Sequence, residues 1–331
     1  MDSQFTKKIA IRVCTNSNFG KGHITRCLAI GSHIKCKIIW FIDCLDDDII
    51  KMIPVKDEII IEDNIRSCEK VKKAIEEKNV NLVLLDSYHI SKNDQFQIKK
   101  NIPLAVISDS IKKLNADLVI YPHPVSRNFK KNKKYLVGLK YAPIAKKFVK
   151  KYRHKKYNKK EFNILVSMGS MDKKGVTVKA IKALNRMLRN HSYKFKVIII
   201  LGDKSPLKLH VVSLINQLKN YKVLINPDDM GIFYSKSSLA IGAPGQSHLE
   251  RLIFGLPTIL VAQNKIHKLL IPKWEKLGCS IKAENSVSSL YRSLEYLFSN
   301  QMILKKMKKR SNYIVDGLGA SRVASNLLEM F

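Results

Sequence analysis

Residues 9–34 read IAIRVCTNSNFGKGHITRCLAIGSHI, a strand, a glycine-bracketed turn and a helix start in succession. It opens with a short apolar run, 9–14, of the length and composition of a parallel strand covered on both faces. A polar turn and then Gly20-Lys21-Gly22-His23 follow. Beyond them Ile24, Cys27, Leu28 and Ile34 recur at the spacing of one helical face. A strand, a glycine-bracketed loop and a helix start with a histidine at the joint is how α/β enzymes present a reactive group. The glycines let a ligand approach the backbone, and amides at a helix start favour an anion. A neutral His23 there can take a proton from water as a general base; the spacing alone is equally that of a glycine turn followed by an exposed histidine.

Working outward, the same alternation runs through both halves of the chain. Apolar runs predict strands at 37–42, 57–61, 81–86, 104–108, 117–121 and 135–138, with helices at 23–34, 68–77 and 92–99 between them. In the second half strands are expected at 163–167, 196–201, 221–225, 239–241, 258–261 and 280–282. Helices are expected near 176–189, 207–219, 228–235, 247–254, 267–277, 287–299, 301–315 and 319–330. Short strands separated by helices indicate parallel βαβ units, so the fold class is α/β. At 331 residues the chain exceeds the usual size of one core. The expected division is one domain over 1–150, a basic linker over 151–162, and a second domain over 163–331 that includes a final helix. The linker lies in KKFVKKYRHKKYNKK (146–160), which is charged and aromatic without a core-forming period. Two such halves leave an interdomain cleft at the carboxyl ends of their sheets, where ligands of open α/β sheets bind.

Composition narrows the class. Hydrophobic residues make up 45%, ordinary for a globular protein, and no run of 18 apolar residues or signal-peptide core is present. The expectation is a soluble, cytoplasmic protein without stable membrane insertion. Six cysteines occur without a C-x-x-C pair, which reads as reduced packing residues. The formal charge of +33 invites nucleic acid, yet only 11 of the 60 basic residues are Arg and the lysines are spread along the chain. General surface lysine, with no nucleic-acid partner, is the expectation. A basic nucleic-acid or membrane-binding protein is the competing class.

A second stretch, IGAPGQSHLERLIFGLP at 241–257, repeats the strand–glycine–helix pattern with Gly242, Gly245 and a helix from near Ser247. This makes a phosphate-sized nest, and Glu250 can accept both hydroxyls of a ribose beside it. Predicted strand ends add Asp86, Tyr88 and Asp109 in the first half, and Met168, Gly169 and Asp172 in the second. These can orient His23 or bind sugar hydroxyls; each is equally a common turn former or helix cap. No His, Cys, Asp and Glu grouping has metal-ligand spacing and no Walker or G-x-S-x-G pattern occurs, so chemistry without metal or cofactor is expected.

Taken together the motifs resemble a known family. Ile11-Arg12, Gly20-x-Gly22-His23-x-x-Arg26-Cys27-Leu28, Asp86-x-Tyr88, Asp109, Gly138-x-x-Tyr141 and Met168-Gly169-x-x-Asp172 carry the first part of the likeness. Gly242-Ala243-x-Gly245, Glu250-Arg251, Gly255-Leu256-Pro257 and Asp316-Gly317-x-Gly319-Ala320-x-Arg322 carry the rest. The set resembles the UDP-2,4-diacetamido-2,4,6-trideoxy-β-L-altropyranose hydrolases of pseudaminic acid biosynthesis. The resemblance implies a GT-B-like fold of two Rossmann-like domains, with UDP held mainly by the second; a monomer is the expectation. It implies metal-independent, inverting hydrolysis at the anomeric carbon, releasing UDP and free sugar for a surface glycan such as glycosylated flagellin. By the same resemblance His23 is the base, Asp86 and Tyr88 belong to the catalytic site, and Gly20, Gly22 and Asp109 line it. Met168, Gly169, Gly242, Gly245, Ser247, Glu250 and Asn264 then contact the substrate. A glycosyltransferase of the same fold, using a UDP-sugar donor in surface polysaccharide synthesis, is the alternative.

Overall fold

A computed structural model describes residues 7–16, 20–110, 114–125, 132–152 and 161–331. The chain forms two compact units, Met1–Lys146 with Gly317–Phe331, and Lys147–Asp316. The first unit carries strands β1 (Lys8–Val13), β2 (Lys37–Ile42), β3 (Glu58–Ile61), β4 (Leu82–Asp86), β5 (Leu104–Ile107), β6 (Leu118–Tyr121) and β7 (Tyr135–Val137). They join in the order β3-β2-β1-β4-β5-β6-β7, every neighbouring pair parallel.

Alternation along β1 explains why both faces are apolar. Ile9, Ile11 and Val13 enter one core, together with Ile24, Cys27 and Ile30 of the helix Gly22–Gly31. Ala10 enters the opposite core, against Val71 and Ala74 of the helix Glu69–Glu77 and Ile98 of the helix Lys92–Asn101. A sheet covered by helices on both sides reads as continuous apolar runs, which is why its strands are legible in the sequence.

The second unit carries β8 (Asn163–Ser167), β9 (Lys196–Leu201), β10 (Tyr221–Ile225), β11 (Leu239–Gly242), β12 (Thr258–Val261) and β13 (Ser280–Ala283). Their order is β10-β9-β8-β11-β12-β13, again parallel throughout. In each unit the order reverses once, between β1 and β4 and between β8 and β11. The crevice outside the carboxyl ends at such a reversal is where open α/β sheets bind ligands.

Two expectations are corrected. The helix Asp47–Met52 was not expected: its six residues are too few for a period, and its signal is local, Asp46 accepting from the amide of Asp48. The last helix, Gly319–Leu328, does not belong to the second domain. Its apolar stripe Val323, Ala324 and Leu327 joins the first unit's core beside Ile24, Cys27 and Ile30, and Arg322 donates to the carbonyl of Lys140. Burying each large apolar side chain contributes about 1.5–3 kcal/mol, so the stripe goes where a matching surface is open rather than to its neighbours in sequence. The expected linker over 151–162 falls mostly on residues 153–160, outside the described residues; the helix Lys146–Tyr152 leads into it. Among the described residues, no helix is long and apolar enough to cross a membrane.

The seat of the last helix depends on Gly319, where a Cβ would lie 2.2 Å from the Ala142 carbonyl oxygen and 2.4 Å from its amide nitrogen. Gly319→Ala should therefore cost about 1–3 kcal/mol of unfolding free energy in urea, with faster hydrogen exchange in the helix Gly22–Gly31. Wild-type stability and exchange would show that the close approach does not hold the helix in place.

Candidate functional site

At the reversal in the first unit, Val13 of β1 pairs with Asp86 of β4, so the loop after β1 and the Asp86 side chain share one sheet edge. The loop's entrance is held by a buried ion pair: Arg12 Nη1 lies 2.7 Å from Asp43 Oδ1, and Asp43 Oδ2 accepts the amides of Thr15 and Asn16. Gly20 sits at φ +73°, a conformation that favours glycine, and Gly22 opens the helix. His23 follows as its second residue, buried.

His23 Nδ1 lies 2.7 Å from Asp86 Oδ1. Burial alone would raise the Asp86 carboxyl, but Arg26 and His23 outweigh it and hold it below the usual carboxylate range. An ionised carboxylate only accepts, so the contact places the proton on Nδ1 and leaves Nε2 as the nitrogen that can take a proton. Arg26, three residues on and on the same helical face, donates from Nε to Asp86 Oδ2 at 2.6 Å and from Nη2 to Oδ1 at 2.5 Å. Its third nitrogen, Nη1, donates to Asp109 Oδ1 at 2.6 Å. Asp109 also accepts from His123 Nε2 at 2.7 Å and from the Tyr88 hydroxyl. Burial opposes the Asp109 charge too, and Arg26 with His123 overcomes it and holds that carboxyl well below its ordinary range. The Tyr88 ring stands edge-on to the His23 imidazole at 4.8 Å.

The first unit thus brings His23, Asp86, Tyr88 and Asp109 together, and adds two groups without a role in the sequence reading. Arg26 was legible, because i and i+3 on a helix share a face. His123 was not, since only the strand order puts the ends of β5 and β6 beside β4. Among the described residues no cluster of His, Cys, Asp and Glu is arranged to hold a metal ion.

At the reversal in the second unit, Ser167 of β8 pairs with Gly242 of β11. Gly169 sits at φ +87° with open space where a side chain would be. Met168, the residue after β8, is buried in the second unit's core. Asp172 accepts the amides of Val176 and Thr177, so the helix Val176–Asn190 begins on a carboxylate. The helix Gln246–Ile253, preceded by Gly245, has no side-chain cap. Of these two helix starts, that one is open to an anion, with Ser247 as its second residue.

Glu250 lies in the second turn and is buried, with Oε2 accepting from Tyr234 at 3.1 Å. Burial pushes its carboxyl up to about 7, although Tyr234, Arg251 and Lys147 act the other way. Asn264 Oδ1 accepts from the His267 amide and caps the helix Lys265–Leu277.

No protein-family model matches the chain. It is 26% identical over 296 residues to an uncharacterized protein, MJ1062, of Methanocaldococcus jannaschii, covering 79% of this chain and 57% of that protein. It is 22% identical over 175 residues to the spore coat polysaccharide biosynthesis protein SpsG of Bacillus subtilis, covering 51% of this chain and 50% of that one. The chain spans about half the length of these curated relatives. Among solved structures, MurG of Acinetobacter baumannii superposes with a TM-score of 0.71 at 14% identity, over 98% of this chain and 100% of that one. The S. aureus MnaA–UDP co-structure gives 0.71 at 12%, over 99% and 98%, and the kitacinnamycin glycotransferase 0.70 at 11%, over 99% of each. At these identities the likeness establishes the fold, GT-B-like with two Rossmann-like domains.

Two stability tests follow. Arg26→Met leaves two buried carboxylates without their cation and should cost about 3–5 kcal/mol at pH 7 in urea unfolding. Both carboxyls are depressed in the folded state, so the wild type keeps their contribution above about pH 4 and loses it as pH falls further. The difference between variant and wild type should therefore shrink towards pH 3; a pH-independent difference would mean that Arg26 acts by packing alone. Glu250 has the opposite sign. Its raised carboxyl holds a proton that the unfolded chain releases, so it favours folding below about pH 4.5 and this is lost as pH rises through 7. Glu250→Gln should raise the Tm at pH 8 relative to wild type, by an effect of order 3 kcal/mol or less, and leave it unchanged at pH 4. Equal shifts at both pH values would contradict the buried, elevated carboxyl.

Proposed function

We propose that this chain is an inverting glycosyltransferase that uses a UDP-sugar donor. The observation that carries the reading is the His23–Asp86 pair, with the proton fixed on Nδ1 and Nε2 left to act as base at the sheet reversal. In this reading the second unit holds the nucleotide, its diphosphate on the amides near Gly245 and Ser247 and its ribose against Glu250. The first unit supplies the base. His23 Nε2 takes the proton of an acceptor hydroxyl as its oxygen attacks the anomeric carbon from the face opposite UDP. The bond from that carbon to the diphosphate oxygen breaks, and UDP leaves as an anion stabilised by helix-start amides, without an acid to protonate it. Asp86 steadies the imidazolium that forms, as a carboxylate on Nδ1 does in other His–Asp pairs. Tyr88 lies beside the base, and no metal or cofactor is required.

Three printed names support the reading in general terms: the MnaA structure holds UDP, the kitacinnamycin enzyme is a glycotransferase, and SpsG serves spore coat polysaccharide biosynthesis. The second reading replaces the acceptor by water: hydrolysis of a UDP-linked 2,4-diacetamido-2,4,6-trideoxy sugar for pseudaminic acid synthesis. What favours it is the ordered motif set from Gly20-x-Gly22-His23 to Arg322. In either case the enzyme works as a cytoplasmic monomer and binds no nucleic acid.

The test is UDP release from a panel of UDP-sugars, with and without hydroxyl acceptors and with chelator present. Release that depends on an acceptor supports transfer, and free sugar of inverted configuration without acceptor supports hydrolysis. No UDP from any donor would sink both readings. His23→Ala and Asp86→Asn should each lower kcat about 10²–10⁴-fold while leaving UDP affinity near wild type. A wild-type kcat in His23→Ala would remove the base assignment.

A further inference from the structure

Arg251 lies one turn into the helix Gln246–Ile253 and is fully buried. Its guanidinium runs back against the loop that precedes its own helix. Nη2 donates to the Ala243 carbonyl at 2.8 Å. A Cβ on Gly242 would lie 2.6 Å from Nη1 and 2.8 Å from Cζ and Nη2, so the guanidinium is pressed against the Gly242 backbone. Only glycine leaves room for it there. Nε and Nη1 have no hydrogen-bond partner among the described residues.

Among the described residues Arg251 forms no ion pair, and Glu250 and Tyr234 only partly offset the effect of burial on its charge. The adjacent carboxylate, Glu250, turns to Tyr234, and burial lifts it to about 7 while lowering Arg251 to about 10. A guanidinium with that value is still charged at neutral pH. A buried cation without a paired anion is unfavourable. Here it lies behind a helix start that has no side-chain cap and that itself carries partial positive charge. Two positive features are set together at one sheet edge, with hydrogen-bonding capacity to spare and, among the described residues, no ion pair. That is a poor arrangement for the unliganded fold and a good one for holding a multiply charged anion.

We propose that Arg251 is a positioning and charge-balancing residue of the nucleotide site, fixing the Gly242–Gly245 loop through the Ala243 carbonyl and supplying buried positive potential for the diphosphate of a nucleoside diphosphate. The inference rests on the UDP-sugar reading. It adds that the site selects for the diphosphate rather than for the nucleoside. Because the charge is buried, its attraction is weakly screened by salt, unlike that of the many surface lysines.

The test is calorimetric binding of UDP, UMP and uridine at low and high salt. The proteins are the wild type, Arg251→Met, Arg251→Lys and Gly242→Ala, each first checked for folding by circular dichroism. Wild type should bind UDP far more tightly than uridine and keep most of that preference at high salt. Arg251→Met should lose about 10–100-fold in UDP affinity with uridine affinity unchanged, and Arg251→Lys should recover part of the loss. Gly242→Ala, which displaces the guanidinium while keeping its charge, should fall between wild type and Arg251→Met. Should Arg251→Met fail to fold, the Lys and Ala variants decide by the same UDP-to-uridine ratio. A ratio unchanged from wild type, or equal losses for both ligands, would overturn the role of Arg251 and leave the UDP reading standing. A wild type that does not prefer UDP to uridine would overturn that reading as well.

Discussion

The Arg26 guanidinium, shared between Asp86 and Asp109, is the interaction on which the first unit's site depends. Its three nitrogens reach two carboxylates at the ends of different strands, and those carboxylates in turn hold His23, His123 and Tyr88. Charges of this kind are expensive to bury, and their mutual attraction offsets the loss of hydration only when the geometry is good and remaining lone pairs are satisfied. The network therefore adds little net stability. What it does is define which nitrogen of His23 carries the proton and which way the ring faces, something an apolar core cannot do. Arg12 and Asp43 perform a similar task one step earlier, fixing the path of the chain into the glycine loop.

The second unit handles charge in the opposite way. Where the first closes a balanced network, the second leaves Arg251 Nε and Nη1 without a partner among the described residues and the helix Gln246–Ile253 without a side-chain cap, while the neighbouring helix Val176–Asn190 is closed off by Asp172. A balanced network suits a group that must orient a proton. An unbalanced positive site suits the binding of an anion that brings its own charge. Both sit at the strand-order reversal of their sheet, which follows from the parallel topology itself: the connections diverge there and leave the carboxyl edge uncovered.

Much of the fold was legible because of how parallel sheets bury themselves. Strands covered on both faces read as unbroken apolar runs, and Asn163–Ser167, Lys196–Leu201 and Thr258–Val261 form where those runs predict them; the edge strand Tyr221–Ile225 also forms where expected although it is only half-buried. The helix Asp47–Met52 escaped because six residues carry no measurable period. Whether Met168, just past a strand end, turns inward is decided only by the packing of the second unit's core, which buries it.

What the sequence by itself determined is the local grammar: alternating strands and helices, two glycine-bracketed joints, and a histidine at one of them. These depend on residues close in the chain, whose propensities and periodicities act before any tertiary contact forms. The tertiary structure decided everything that depends on strand order and on burial. It placed Asp86, Asp109 and His123 around Arg26 although they lie 60 to 97 residues away along the chain, and it sent the last helix to the first unit. It also left Arg251 buried without an ion pair among the described residues. Desolvation makes each of those outcomes matter, since a charge costs little on the surface and a great deal inside, and no local pattern records which side of that boundary a residue will occupy.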